Sequence, residues 1–554
     1  MTARQHTVIA VILVLTGLYL MRLSGAEIQP WDEGLYAVRA QSILEFDAWW
    51  DQSDHALGGL YSATAPPFVV WLVALSMSIL GPTAIAVRLP IVLCSAIALW
   101  MLYLVARRMV TYEHSILAVC VMAGTMHWAL YARQSMTEVP LMMWCLVALW
   151  STLVWRERED AWWPPIVFGV ALGMALLTKM LVSFVPLIFL VPLLIAQRNR
   201  FAPFIRAAGA LAIAFAVAIP WYAMMASKHS TSFLSGVPLS HILTTVEGNA
   251  SSLGPLFYVN QLAVGNAVIV LAFIFLAVAI VKRVLLPKFS QQAQTSVLMW
   301  FVVVLLIFSF GATKNIHYAV MLVPAGVLLA IYAAERMLLL ASSRTVVASY
   351  GIVSAIAIWA LLPAAHRQSF RTSPFDTLVL VEGILIVLIA GSGFLLPKKS
   401  TQKLALQMFK PVLYGVAGLF LVRTASIIIP GSENEVRGAR AVATELLDTT
   451  TRSFTYLYHK RSDGDSLNPQ LAWYLNGWMA GWTRGRTYKP VAMPEDAVTN
   501  VVSALGLQGL SVYIVYLHAA QPNTVRLLDK VRIALAPGYD SKEYDDYTLF
   551  KRRK

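Results

Sequence analysis

A chain of 554 residues that is 58% hydrophobic and 13% charged, with a mean hydropathy of +0.66, lacks the composition of a soluble globular protein and must use lipid as solvent. Its net charge of +14 speaks for membrane topology before nucleic acid, because Lys and Arg of membrane proteins gather in cytoplasmic loops and against anionic lipid. Cys94, Cys120 and Cys145 all fall inside apolar runs with no pairing pattern, which sets aside a disulfide framework and a cysteine metal site.

Residues 7–21 have the apolarity of a signal peptide, but no clean small-residue cleavage site follows and further spans do, so they read as the first span. Apolar runs of bilayer-crossing length sit near 7–23, 84–106, 115–131, 139–155, 162–178, 181–197, 203–223, 257–281, 294–311, 316–334, 346–364, 375–396 and 411–429, thirteen in all. With a cytoplasmic N-terminus, the inner ends carry seventeen basic residues, among them Arg4, Arg107, Arg108, Arg156, Arg158, Lys282 and Lys398. The outer ends hold far fewer, so the positive-inside rule fixes this orientation and puts the C-terminus outside.

Two outer segments are long, 24–83 and 224–256, and long loops are where function concentrates. Within the first, 33–46 and 66–80 have the pattern of helices lying at the interface. After Pro430 the composition turns polar, with strands predicted at 453–459, 511–516 and 547–550 and a helix at 523–533. The predicted fold is an all-α polytopic membrane protein, residues 1–429, followed by a small extracytoplasmic α/β domain, residues 430–554.

Ionisable residues at a membrane boundary are costly and tend to be functional. In this topology Asp32 and Glu33, Arg133 and Glu138, Lys179, then His229, His241 and Glu247, and finally Lys314, His317 and Tyr318 all fall on the outer side. Carboxylates, cations and imidazoles from five loops on one face suit an anionic lipid and a proton transfer. Adjacent carboxylates such as Asp32 and Glu33 serve as a general base or hold a divalent cation, and they also suit a helix N-terminus. Arg133 and Glu138 read equally as a structural ion pair, Lys179 as a snorkelling side chain, and His317 and Tyr318 as part of an aromatic belt. His229 and His241 lack metal-ligand spacing, so a metal stays open and no motif requires a cofactor.

W-D-E-G-L-Y at 31–36, Y-S-A-T-A-P-P-F-V-V-W-L at 61–72, A-V-R-L-P at 86–90, A-R-Q-S-M-T-E-V-P-L at 132–141, L-L-T-K at 176–179, P-W-Y at 220–222, E-G-N-A-S-S-L-G-P-L-F-Y at 247–258 and A-T-K-N-I-H-Y at 312–318 occur in order. Together they resemble the bacterial branch of the membrane glycosyltransferase superfamily C, which includes protein O-mannosyltransferases and lipid A aminoarabinose transferases. The resemblance implies thirteen spans with interfacial helices in the first outer loop and a polyprenyl-phosphate sugar as donor. It implies that Asp32 activates the acceptor, with Glu33 following it, that Glu138 takes the place of a second acid, usually Asp, and that Lys179 and Lys314 lie near the lipid phosphate. Two departures stand out. Thr64 and Ala65 precede Pro66-Pro67 where aminoarabinose transferases typically carry Glu-Lys, and Leu35 replaces an Arg common before the tyrosine of the first motif.

The expected activity is inverting transfer of one sugar from undecaprenyl phosphate to an envelope acceptor, a lipid A-like glycolipid, a glycan or a protein, at the outer face of the bacterial inner membrane. Asp32, Glu33 and Glu138 are the candidate catalytic acids. Lys179, Lys314 and Arg133 are the candidate phosphate ligands, and Tyr36, His241, Glu247, His317 and Tyr318 the candidate substrate contacts. The expected partners are the lipid-linked donor, membrane lipids and the acceptor, with no nucleic acid. Two competing classes are a lipid-linked sugar flippase and a non-catalytic envelope-assembly partner. Transporters place ionisable residues at mid-membrane, and these spans are nearly free of charge.

Overall fold

Apolar segments that must satisfy every backbone N–H and C=O without water become helices. In the computed structural model the described residues are 3–55, 63–196, 201–234, 254–265, 291–311, 314–340 and 437–447, five strands after residue 452, 468–475, and short stretches between. Among them six helices are long and apolar enough to cross a bilayer: Ala3–Leu20 (α1), Ala84–Ala106, Glu138–Glu157, Phe201–Ser230, Gln292–Phe310 and Ile316–Arg336. Four shorter apolar helices, Phe68–Leu80, Tyr112–Ala123, Trp163–Leu176 and Val182–Ile195, pack among them. The expected spans at 346–364 and 375–396 lie outside the described residues.

The spans are not equivalent. Glu138–Glu157 and Ile316–Arg336 are each 83% buried, whereas α1 and Phe201–Ser230 are 22% and 28% buried, which makes the first two central and the others peripheral. Exposed Leu13, Leu93, Ile97, Ile219 and Ile307 form the outward apolar surface expected against lipid chains. Small residues allow close approach. A Cβ added at Gly173 would lie 2.7 Å from Val217 Cβ, so glycine lets Trp163–Leu176 nest against the Phe201–Leu234 helix.

Three expected spans depart from a regular α-helix. The 115–131 run divides into Tyr112–Ala123 and Met126–Tyr131 at Gly124 and Thr125, the 181–197 run begins with a 3₁₀ helix, Leu181–Phe189, containing Pro186, and the 316–334 run begins with another, Ile316–Leu322. Proline withholds the N–H that a regular helix needs. In the segment between the first two spans Asp32–Phe46 (α2) and Phe68–Leu80 are helices, close to the expected bounds. The Phe68 N–H donates to the Leu177 carbonyl at 3.0 Å, tying this segment to the turn that carries Lys179.

After residue 452 a five-stranded sheet runs in the order β2-β1-β3-β5-β4, from Ser453–His459 (β1), Thr487–Met493 (β2), Tyr513–Leu517 (β3), Tyr539–Tyr544 (β4) and Tyr547–Arg552 (β5). β1 pairs parallel with β2 and β3, while β5 pairs antiparallel with β3 and β4. The sequence reading misses β2 and β4, the two edges. Lys489-Pro490 and the charged run Asp540–Glu543 break the apolar alternation there, as edge strands commonly do.

At one end of the bundle, Arg4 and Arg107 both stand over the Tyr112 ring, at 5.1 and 5.9 Å, and Arg108 pairs with Glu157 at 2.6 Å. The candidate acids lie at the other.

Candidate active site

Asp32 opens α2 from Trp31, whose φ of 67° and ψ of −121° are strained for a side chain of that size. The strain sits at the point where the chain turns out of the loop after α1. Asp32 and Glu33 then part company. Glu33 is 1% exposed and saturated: it accepts from the Arg88 guanidinium at 2.8 and 2.9 Å, from the Gln29 N–H at 2.7 Å and from the Ser135 N–H at 3.2 Å. Arg88 also donates to the carbonyls of Leu23, Ala26 and Glu27, which gathers the loop ahead of Asp32 around one guanidinium. Asp32 receives no hydrogen bond from any described residue.

The groups that face Asp32 electrostatically are His317, Glu138 and Lys179. Lys179 Nζ lies 2.5 Å from Glu138 Oε1 and His317 Nε2 is 3.8 Å from the same oxygen. The ammonium stands 4.8 Å from the Tyr318 ring centre, and Tyr131 and Tyr318 flank the imidazole edge-on at 6.2 and 4.6 Å. Tyr36, one turn beyond Asp32 on α2, faces Asp32 and Glu138 electrostatically. Loss of water pushes the Asp32 carboxyl above the ordinary carboxylate range, reinforced by Glu138 and opposed by His317 and Lys179. Burial works against the Lys179 ammonium, but Glu138 prevails and holds it above the ordinary lysine value. A carboxylate free of donors among the described residues, a cation fixed by a second carboxylate and an imidazole thus converge from four stretches of chain. Such a group can take a proton from a nucleophile while a fixed cation neutralises a leaving anion.

Two of the three candidate phosphate ligands have other work. Lys314 Nζ donates to the carbonyls of Phe308, Ser309 and Gly311 at 3.2, 2.7 and 3.1 Å, capping the end of Gln292–Phe310. Arg133 donates to the carbonyls of Tyr19 and Met21, capping α1. Cations at helix C-termini satisfy orphan carbonyls and the helix dipole. Lys314 nevertheless joins the site through stacked rings: it stands 5.8 Å from Tyr258, which packs on Phe308, which stacks on Tyr318 at 5.3 Å. His241 and Glu247 lie outside the described residues. Among the described residues no group of three or more His, Cys, Asp or Glu side chains is spaced to hold a metal.

His229 is drawn into a clasp instead. Asp51 Oδ2 accepts from Lys228 Nζ at 2.6 Å and contacts His229 Nε2 at 2.9 Å, and this partnership holds the Asp51 carboxyl far below the ordinary range despite its burial. The clasp ties the segment between α2 and Phe68–Leu80 to the end of the Phe201–Leu234 helix. At the departures from the family pattern, the Ala65 carbonyl accepts from Arg39 Nη2 at 3.0 Å. Arg39 is 1% exposed and also donates to Gln52 Oε1, which ties this segment together, while its Nη1 is buried without a hydrogen-bond partner among the described residues. The roles of Arg88 and Arg39 were not foreseen. The signal for Arg88 was available, since a lone guanidinium in the first turns of an apolar span demands a buried carboxylate.

Residues 64–223 match the family model described as dolichyl-phosphate-mannose-protein mannosyltransferase. An undecaprenyl phosphate-alpha-4-amino-4-deoxy-L-arabinose arabinosyl transferase of Pseudomonas fluorescens is 26% identical over 382 residues, 66% of this chain and 67% of that protein. A transferase of the same name from Pseudomonas aeruginosa is 30% identical over 228 residues, so the chain spans only 40% of its length. The crystal structure of ArnT from Cupriavidus metallidurans bound to undecaprenyl phosphate superposes with a TM-score of 0.66 at 16% identity, over 99% of this chain and 98% of that one. Sequence and fold agree: the chain is a multi-pass membrane protein with the fold of the membrane glycosyltransferase superfamily C, and within it resembles the bacterial branch of aminoarabinose transferases and protein mannosyltransferases.

Proposed function

We propose that the protein is a polyprenyl-phosphate-sugar-dependent glycosyltransferase that moves one sugar to a cell-envelope acceptor at the outer face of the inner membrane. The observation that carries this reading is the Asp32 carboxylate, free of donors among the described residues and set beside the Lys179–Glu138 ion pair. The relatives' names supply the donor class, undecaprenyl phosphate. In this reading the end of the bundle bearing Arg4, Arg107 and Arg108 is cytoplasmic, and residues 430–554 form a periplasmic domain.

The chemistry is a single in-line displacement. Asp32 takes the proton from the acceptor hydroxyl or amine as its oxygen or nitrogen bonds to the anomeric carbon. The bond from that carbon to the phosphate oxygen breaks, and its electron pair leaves with the phosphate. Lys179 neutralises the growing charge. Attack opposite the leaving group inverts the anomeric centre. Glu138 holds the ammonium in place, and Glu33 with Arg88 holds the turn from which Asp32 projects.

Mass spectrometry of envelope lipids and glycans tests the proposal, using a deletion strain complemented with the wild-type gene or with Asp32→Asn. A sugar-sized mass that only the wild type restores supports the transferase. Restoration by both removes Asp32 from the chemistry.

A further inference from the structure

The loop that delivers Asp32 is gripped from two sides. From the bundle, Arg88 takes the carbonyl of Glu27 at 2.7 Å and the carboxylate of Glu33. From the other side comes the C-terminal region. The Glu27 side chain reaches the first turn of the Ala439–Leu447 helix, where its Oε2 accepts from the Arg440 N–H at 3.4 Å. The Tyr474 hydroxyl accepts from the Ile28 N–H at 2.9 Å, and Arg440 stands 5.3 Å from the Tyr474 ring. One residue past Glu33, Gly34 lies against Pro469 and Gln470 so tightly that an added Cβ would come within 3.0 Å of both.

The carboxylate suits that helix end, where unpaired N–H groups and the dipole favour an anion. The Ala439–Leu447 helix is itself anchored, because Glu445 bonds to Lys542 and Tyr544 of β4. Residues 27–29 are therefore a strap whose side chain answers to the C-terminal domain and whose backbone answers to the Arg88–Glu33 pair. The Gln29 N–H completes the circuit by donating to Glu33.

We propose that Glu27 is a positioning residue, through which the C-terminal α/β domain docks on the catalytic loop and sets the placement of Asp32. The domain thus takes part in the reaction without touching its reacting atoms. The consequence for catalysis rests on the transferase reading above; the docking does not.

The full chain in detergent or nanodiscs tests both. Hydrogen exchange is compared for wild type, Glu27→Gln and Glu27→Asp, with Tyr474→Phe as a second variant at the same dock. Expected is a tenfold or greater rise in exchange confined to residues 28–36 in Glu27→Gln, with partial rescue in Glu27→Asp and protection of Glu138–Glu157 unchanged. Wild-type protection of 28–36 in both Glu27→Gln and Tyr474→Phe overturns the dock. In cells, transfer by Glu27→Gln falls at least tenfold while the purified protein retains undecaprenyl phosphate; full transfer alongside loosened exchange overturns the positioning role. Absence of transfer by the wild type instead refutes the transferase reading and leaves the exchange result to judge the dock.

Discussion

Lys179 and Glu138 form an ion pair of 2.5 Å in which the carboxylate is 1% exposed and the ammonium 24%. Removing one partner of a buried pair strands the other charge, at a cost of about 3–5 kcal/mol when fully sealed. The partly exposed ammonium lowers that figure. Glu138→Gln is expected to destabilise the protein by on the order of 2 kcal/mol and to reduce transfer about a hundredfold, whereas Glu138→Asp keeps most of both. Thermal unfolding in detergent, read beside transfer in cells, measures the two effects. A Glu138→Gln protein that melts and transfers like the wild type would show that the pair is ornamental.

Asp32 and Glu33 separate the two effects. Asp32→Asn removes no hydrogen bond from a described residue and relieves a carboxylate that resists ionisation, so the melting temperature should stay or rise while transfer drops about 10²–10⁴-fold. Glu33→Gln leaves the Arg88 guanidinium without its counter-charge and should lower stability by about 3 kcal/mol. If Asp32→Asn proves the less stable of the two, the assignment of one residue to chemistry and the other to scaffold is reversed.

The displaced titration of Asp32 predicts a pH profile. Its carboxyl is raised, so the protonated, inactive form persists above the ordinary value of about 3.9, and transfer falls with acid through the raised value. The stability effect has the opposite sign. Ionising Asp32 costs the folded state, and that cost grows as pH rises from the unfolded value through the folded one. Asp32→Asn should therefore gain most in stability, relative to wild type, toward neutral pH. An acid limb unmoved from the ordinary carboxylate range would count against Asp32 as the base.

Lys314→Met and Arg133→Met test the capping roles. Each should cost about 0.3–1 kcal/mol, up to ~2 if partly buried, and leave retention of undecaprenyl phosphate intact, whereas Lys179→Met should lose it. Native mass spectrometry of the purified variants distinguishes them; equal loss in all three would return Lys314 and Arg133 to the phosphate.

Why the sequence singles out Asp32, Glu138, Lys179 and His317, which the structure brings together, yet gives no sign of the carbonyls that Lys314 and Arg133 meet has a physical answer. All six stand at the lipid boundary, where charge is expensive and therefore informative. That argument selects residues but not partners. Lys314 follows the end of its helix by four positions and Arg133 reaches the end of α1 from over a hundred residues away, so only the folded helix ends show that both cations answer carbonyls. Broken helices were hidden for a related reason: an apolar run reads the same through Gly124 or Pro186. The strap at Glu27 left no trace at all, because its partners lie more than four hundred residues downstream.

That separation also orders events during synthesis. Ile28 and Tyr474 are 446 positions apart, so at about 5–20 residues per second a ribosome needs roughly 20 to 90 seconds between making one and the other. Throughout that interval the acid of the first loop is already in the membrane without its outer clamp. A chain truncated anywhere before residue 439 never acquires it. The last fifth of translation thus completes the clamp, and a copy terminated before it keeps its Asp32 turn unfinished.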